Sequence, residues 1–307
     1  MANSTLLQLV NAAQGEMGLP ISSTVIGNGA LDVVQQRALS NAVGNEIKRQ
    51  WPWQSSVVAY TFTTPFYTYT ADLSTSSTTI TNLSSTTGLT ANPTYFQVVG
   101  TGVPNDTYLV SVNAGLFTAV LTNTPETAGT TVSLTFSQVR FAMPSDFDRL
   151  IDRTDWDKSQ HWEMLGPETA QQWQWLKSGY ISTGPRVRYR VLGNLFQIWP
   201  AIGALHTLGF EYLSKYWIYA TAATALSKET FSADTDTCIF PDRLMVLALK
   251  RAYFKAKGFD PVFDTEYRME LDNAKSNDAG SPTLSFAPQA SSILIGFENI
   301  PDANYGT

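Results

Sequence analysis

Apolar residues recur at helical spacing near both ends of the chain and in alternation between them. Leu6, Val10, Ala13 and Met17 fall at i, i+4, i+7 and i+11, which predicts an amphipathic helix over residues 4–17. Ser4 or Thr5 caps its start, and Gly18 and Pro20 stop it. A second helix is predicted over residues 31–50, with Leu39, Val43 and Ile47 stacked four apart and Asp32 in the favourable first turn. Trp51-Pro52-Trp53 ends it, because Pro52 denies the residue before it an easy helical conformation; the two indoles suit anchoring better than catalysis. Toward the other end, residues 241–257 and 261–275 form a predicted helical hairpin. The first helix has Pro241 in its first turn, Leu244, Leu247 and Ala248 facing inward, Lys250, Arg251, Lys255 and Lys257 toward its negative end, and Gly258 as its stop. The second carries Phe263, Tyr267 and Leu271 on one stripe, with Asp264 four residues before Arg268.

Between these helices the texture is that of strands. Residues 57–69 are β-branched and aromatic, and 78–83, 95–99, 108–112, 116–121 and 131–136 are short strands separated by Gly, Pro, Asn and Asp turns. Their regular spacing predicts a small antiparallel sandwich or barrel over 70–137, inserted where its flanks, 57–62 and 139–143, pair across its base. The competing reading makes 57–143 one continuous sheet. Further on, 167–177 is a predicted helix starting at Pro167 with Glu168 near its positive end. Residues 186–192, 195–199 and 205–213 follow as strands, with Gly193-Asn194 as a tight turn. The expected fold class is therefore α+β: a helical bundle with a small antiparallel sheet, plus an inserted all-β sandwich or barrel. The expected divisions are 1–69, 70–137, 138–280, and an extended arm at 281–307 in which Ile293, Leu294 and Ile295 form the segment suited to docking.

Charge changes the picture more than length does. Only 15% of the 307 residues are charged, against roughly 25% in an average soluble domain. No Lys or Arg occurs between Arg49 and Arg140, where the acids are Asp72, Asp106 and Glu126. A polar surface with little charge suits wide protein contacts. The net charge of -6 argues against wrapping nucleic acid, although an acidic wall can line a passage through which DNA slides. The single cysteine, Cys238, excludes an internal disulfide and a multi-thiolate metal site, and is expected as a buried thiol. No stretch reaches the roughly 18 apolar residues of a membrane helix, which predicts a soluble chain with no membrane anchor, made in a reducing cytoplasm.

Candidate chemistry is sparse. Asp146, Asp148, Asp152, Asp155 and Asp157 are close enough in sequence to suggest a cation, but their spacing is not that of a calcium loop. Arg149, Arg153 and Lys158 lie among them, which favours ion pairing and capping. His161 and His206 belong to no metal or catalytic motif, and Gly27-Asn28-Gly29 lacks the rest of a phosphate-binding loop. No catalytic residue, cofactor or metal is assigned. Trp156, Trp162, Trp173 and Trp175 suit a core or an interface better than a glycan platform. Arg186, Arg188 and Arg190 alternate along one predicted strand; the acidic total favours acids of a neighbouring subunit over DNA phosphate as their partners.

The phrases Arg140-Phe141-Ala142-Met143-Pro144-Ser145-Asp146-Phe147-Asp148-Arg149, Trp173-Gln174-Trp175-Leu176-Lys177-Ser178-Gly179, Thr183-Gly184-Pro185-Arg186, Phe196-Gln197-Ile198-Trp199-Pro200 and Phe210-Glu211-Tyr212-Leu213-Ser214-Lys215 resemble tailed-bacteriophage head-to-tail adaptors, the connectors also described as tail tubular proteins of short-tailed phages. The resemblance covers roughly 1–66 and 138–280. The interval between looks like the immunoglobulin-like or related β modules of phage proteins, with Thr78-Thr79-Ile80-Thr81-Asn82-Leu83 and Gly100-Thr101-Gly102-Val103-Pro104 as its phrases. The resemblance implies a structural virion subunit at the head-tail junction, made in the host cytoplasm, without an active site. It implies a homo-oligomeric ring, a dodecamer, bound to the portal protein and to a tail nozzle or other tail proteins. DNA would pass through its lumen during ejection without sequence-specific binding. The other reading kept open is a virion surface decoration or glycan-binding module.

Overall fold

The computed structural model describes residues 3–178, 186–221, 223–259 and 263–279, and the chain divides into two compact units. One comprises Met1–Ser55 with Ile218–Thr307, the other Ser56–Trp217. Among the described residues the architecture is α+β and mostly β, with five α-helices, five small antiparallel sheets and no closed barrel.

The discontinuous unit begins with α1 (Leu6–Met17). The Thr5 hydroxyl accepts from the Gln8 backbone N–H while the Gln8 side chain accepts from the Thr5 N–H, and Gly18 closes the helix in the left-handed region at φ 69°. Helix α2 (Leu31–Gln50) spans the expected residues, but its inward face differs from expectation. Val33, Gln36, Ser40, Val43, Gly44, Ile47 and Lys48 are buried, whereas Leu39 is only half-buried. Gln36 can turn inward because its amide oxygen accepts from Gln14 Nε2 at 2.8 Å and Ser40 Oγ donates to the Gln36 carbonyl at 2.8 Å.

The continuous unit comprises, in order, β1 (Val57–Thr63), β2 (Phe66–Leu73), β3 (Thr79–Ile80), β4 (Phe96–Gly100), β5 (Leu109–Asn113), β6 (Thr118–Leu121), β7 (Gly129–Gln138), β8 (Arg140–Ala142), β9 (Phe147–Leu150), β10 (Trp156–Asp157), β11 (Trp162–Glu163), α3 (Ala170–Lys177), β12 (Arg188–Leu192), β13 (Leu195–Trp199) and β14 (Thr207–Ser214). The strand expected over 57–69 is broken at Thr64-Pro65. Proline has no N–H for a ladder, and the Thr64 N–H donates to the His206 carbonyl at 3.0 Å. The proposed flanks do not pair with each other. Strand β1 pairs with β14 from Val57↔Leu213 to Thr63↔Thr207, and β8 pairs with β13. The ladder that gathers the interval is β2–β7, which begins at Phe66↔Ser137.

Two three-stranded sheets, β2-β7-β4 and β3-β6-β5, share one core containing Leu73, Ile80, Phe96, Leu109, Leu121 and Phe136. A second core lies around β14. It contains Phe141, Tyr189, Phe196, Ile198, Phe210 and Tyr212, with Phe196 stacked on Phe210 at 5.1 Å and on Tyr189 at 4.9 Å. In the main sheet β14 is central, with β1 on one edge and both β9 and β10 on the other. Helix α3 starts at Ala170, later than expected, because Thr169 is its N-cap and forms a capping box with Gln172. The Leu192↔Leu195 pairing makes Gly193-Asn194 the expected two-residue turn, with Gly193 at φ 60°.

The chain re-enters the discontinuous unit with β15 (Ile218–Tyr219), β16 (Leu226–Lys228) and β17 (Thr237–Cys238), followed by α4 (Asp242–Ala256) and α5 (Asp264–Ala279). Helix α4 packs against α1, α2 and α5, which explains why eight of its residues are buried instead of a single stripe. Acids bind the two ends of the sequence together: Asp242 accepts from the Ser4 N–H at 2.9 Å, and Asp234 accepts from the Ile26 N–H at 2.7 Å. Phe210 is the most heavily shared ring of the β14 core, so Phe210→Ala is expected to destabilise the protein by about 3–5 kcal/mol in guanidinium unfolding.

Candidate functional site

The five aspartates that suggested a cation do not converge. Asp146 accepts from the Tyr212 and Ser214 hydroxyls, both at 2.7 Å; Asp155 accepts from the Tyr189 hydroxyl at 2.6 Å; Asp157 Oδ2 lies 2.6 Å from His206 Nδ1. Arg153, expected among their partners, reaches Glu163 at 3.9 Å instead. Among the described residues no three His, Cys, Asp or Glu side chains are placed to hold a metal ion. The acids are separated because successive residues of a strand point to opposite faces, and the tyrosines on β12 and β14 come from distant sequence. Their alternation with buried residues was the signal available in the sequence.

Asp155 is 2% exposed and its Oδ1 has no hydrogen-bond partner among the described residues. Burial raises its carboxyl to about 6, and the Tyr189 hydrogen bond offsets only part of that. Burial and the neighbouring Asp155 carboxylate together hold the Tyr189 hydroxyl well above the ordinary tyrosine range. Cys238 is fully buried, which pushes its thiol up to about 12.

The four tryptophans have different surroundings. Trp173 is 3% exposed and packs with Leu176 and Trp199, so it anchors α3 to β13. Trp162 is half-buried on β11, at a recess of about 190 Å³ that Asp157, Met164, Ile202 and His206 also line. That is below the roughly 300 Å³ at which ligand pockets begin. Trp156 and Trp175 are 38% and 47% exposed and remain candidates for contact with another molecule. The arginine row is also divided. Strand β12 begins at Arg188, leaving Arg186 outside it, and Arg188 pairs within the chain with Glu168 at 2.7 Å. Arg190 is half-buried on β12, an edge strand. Ile293, Leu294 and Ile295 lie outside the described residues.

A cation clamp holds the uncharged interval to the β14 core. The Tyr108 ring lies 4.3 Å from the Arg140 guanidinium carbon and 4.9 Å from Lys177 Nζ, centroid to atom. Lys177 also pairs with Asp106 at 3.2 Å, and Arg140 donates to the Thr94 carbonyl at 2.7 Å. Burial, with Asp106 beside it, raises the Tyr108 hydroxyl above its ordinary range. Elsewhere in the interval backbone donors replace cations: Asp72 accepts from the Thr131 N–H at 2.7 Å and from Asn82 at 2.6 Å, which lowers its carboxyl below the usual range. No helix among the described residues is long and apolar enough to cross a membrane.

A family model described as SU10 adaptor protein matches residues 107–285, more than half of the chain. The match starts inside the uncharged interval, at the segment that carries Tyr108, and continues through the β14 core to the helices beyond. No curated protein matches the chain.

Two outcomes follow from this geometry. Because the folded-state carboxyl of Asp155 titrates above its ordinary value of 3.8, its contribution to stability is complete below about pH 4 and is lost as pH rises through about 6. Relative to Asp155→Asn, the unmodified protein should lose about 2–3 kcal/mol of unfolding free energy between pH 4 and pH 7.5, measured by guanidinium melts across that range. Replacing Arg188 by Ala leaves the Glu168 carboxylate, whose side chain is only 7% exposed, without its partner. It should cost about 1–3 kcal/mol of stability while leaving self-association in sedimentation velocity unchanged.

Proposed function

The chain belongs to the SU10 adaptor protein family, a family of structural phage proteins and not of enzymes, and we propose that it works as one subunit of a ring at the head-to-tail junction. In this reading twelve copies seat beneath the portal protein, contact a nozzle or other tail protein on the far side, and leave an axial passage for DNA. The helical unit acts as the wedge of a bundle that seals the joint. The two small sheets over 70–137 form an inserted immunoglobulin-like module carried on the β14 core, and the segment containing Ile293, Leu294 and Ile295 reaches toward the portal.

The observation that carries the reading is the family match over 107–285, which takes in the β14 core and both helices of the C-terminal hairpin. Physical features agree with it. The acidic total of -6 lets DNA slide without being held. Exposed Trp156, Trp175, Leu192 and Leu205 supply apolar area for neighbours.

The purified chain mixed with portal protein from the same phage should cosediment with it, and negative-stain images should show a twelve-fold ring stacked on the portal. A chain that ignores portal and instead binds immobilised glycans would overturn this function in favour of surface decoration.

A further inference from the structure

We infer that copies of this chain join head to tail through their helices, with the outward face of α2 on one copy seated against the outward face of α5 on the next. The inference rests on the ring reading above and identifies the contact that would close the ring.

Helix α2 has its polarity reversed. Its buried face holds Gln36, Ser40 and Lys48, while Leu31 is 87% and Val34 42% exposed. At about 100° per residue, Leu31, Ala38, Ala42 and Arg49 fall on one line opposite the buried face, and all four are exposed. An amphipathic helix in an isolated protein keeps apolar residues inward and polar ones outward. This arrangement suits a helix with a neighbour on each side. The small residues Ala38 and Ala42 leave room for a large side chain from a facing helix, and Arg37 and Arg49 on the same exposed surface have no ion-pair partner among the described residues.

Helix α5 presents the complement. Tyr267, Leu271 and Ala274 face inward. The opposite face is exposed and carries Met269, 65% exposed, among Thr265, Asp272, Asn273 and Ser276, with Glu266 at its edge. Glu266 and Asp272 have no ion-pair partner among the described residues, whereas Asp264 is taken by Arg251 and Arg268. One face therefore offers free bases around small and branched apolar residues, and the other offers free acids around a pliable methionine, which adapts to an irregular apolar surface.

The occupant argued for is a second copy because both complementary faces belong to the same unit on different helices. Filling the α2 face of one copy leaves its α5 face open for another, so the contact is heterologous and propagates until a ring closes.

The test uses the full chain, alone and with portal, observed by sedimentation velocity and negative-stain imaging, with near-UV circular dichroism confirming that each variant is folded. Arg49→Glu and Asp272→Lys should each weaken ring formation about three- to tenfold, and the double variant should recover most of it, because the swapped charges meet again across the contact. Mixing copies carrying Ala42→Cys with copies carrying Met269→Cys should give the mixed disulfide in excess of either homodimer under mild oxidation; Cys238 is buried and stays silent. Rings that form normally in all three charge variants and give only statistical disulfides overturn this contact while leaving the ring function standing. Absence of rings both alone and on portal overturns the contact and the ring function together.

Discussion

Strand β14 is the constraint on which the continuous unit depends. It pairs with β1, which precedes the uncharged interval, and with β9 and β10, which follow it. The chain can therefore make a long excursion and return to the same strand. The residues of β14 are also the least replaceable: Leu208, Phe210 and Tyr212 lie in the core, while the Tyr212 and Ser214 hydroxyls fix Asp146. A sheet organised around one central strand tolerates change at its periphery, where loss of a pair leaves the core intact.

Charge is distributed according to the same division. From Arg49 to Arg140 the chain contains no base, and its acids are satisfied by backbone N–H groups and by one lysine from α3. The Tyr108 ring between Arg140 and Lys177 gives the interval a polar attachment to the β14 core. Within that core, buried carboxylates are met by tyrosine hydroxyls in place of arginines. Hydroxyls leave Asp155 exposed to the cost of desolvation, and a buried acid with one unmatched oxygen is a weak point that a purely structural core would lose nothing by replacing.

The helices were legible in the sequence because their signals are local. Thr5, Gly18, Pro52 and Gly258 mark boundaries through backbone chemistry that acts within a few residues. The positions of most strands were legible for the same reason, including the two-residue turn at Gly193-Asn194. Pairing was not, since the choice of β14 over 139–143 as the partner of β1 depends on packing among Phe62, Phe196 and Phe210, residues more than a hundred positions apart. The acids were misread because sequence proximity to Arg149, Arg153 and Lys158 suggested ion pairs, whereas alternation along a strand sent neighbouring carboxylates to opposite faces. Trp173 and Trp175 show the same limit: two residues apart on one helix, one became core and the other surface. Helix α2 misled by its one clean apolar spacing, because the buried Gln14–Gln36 pair turned a polar face inward.

These features describe a protein made to be one piece of a larger object: exposed apolar residues at several places, little surface charge, and a core organised to carry an excursion. Localisation within the phage is the most direct measurement. A cryo-electron-microscopy reconstruction of the intact particle should place this chain in a closed ring between the portal and the tail, with helices from adjacent copies in contact around the DNA passage. Density for the chain on the outer capsid surface or on a tail fibre, as isolated subunits or trimers, would contradict the account.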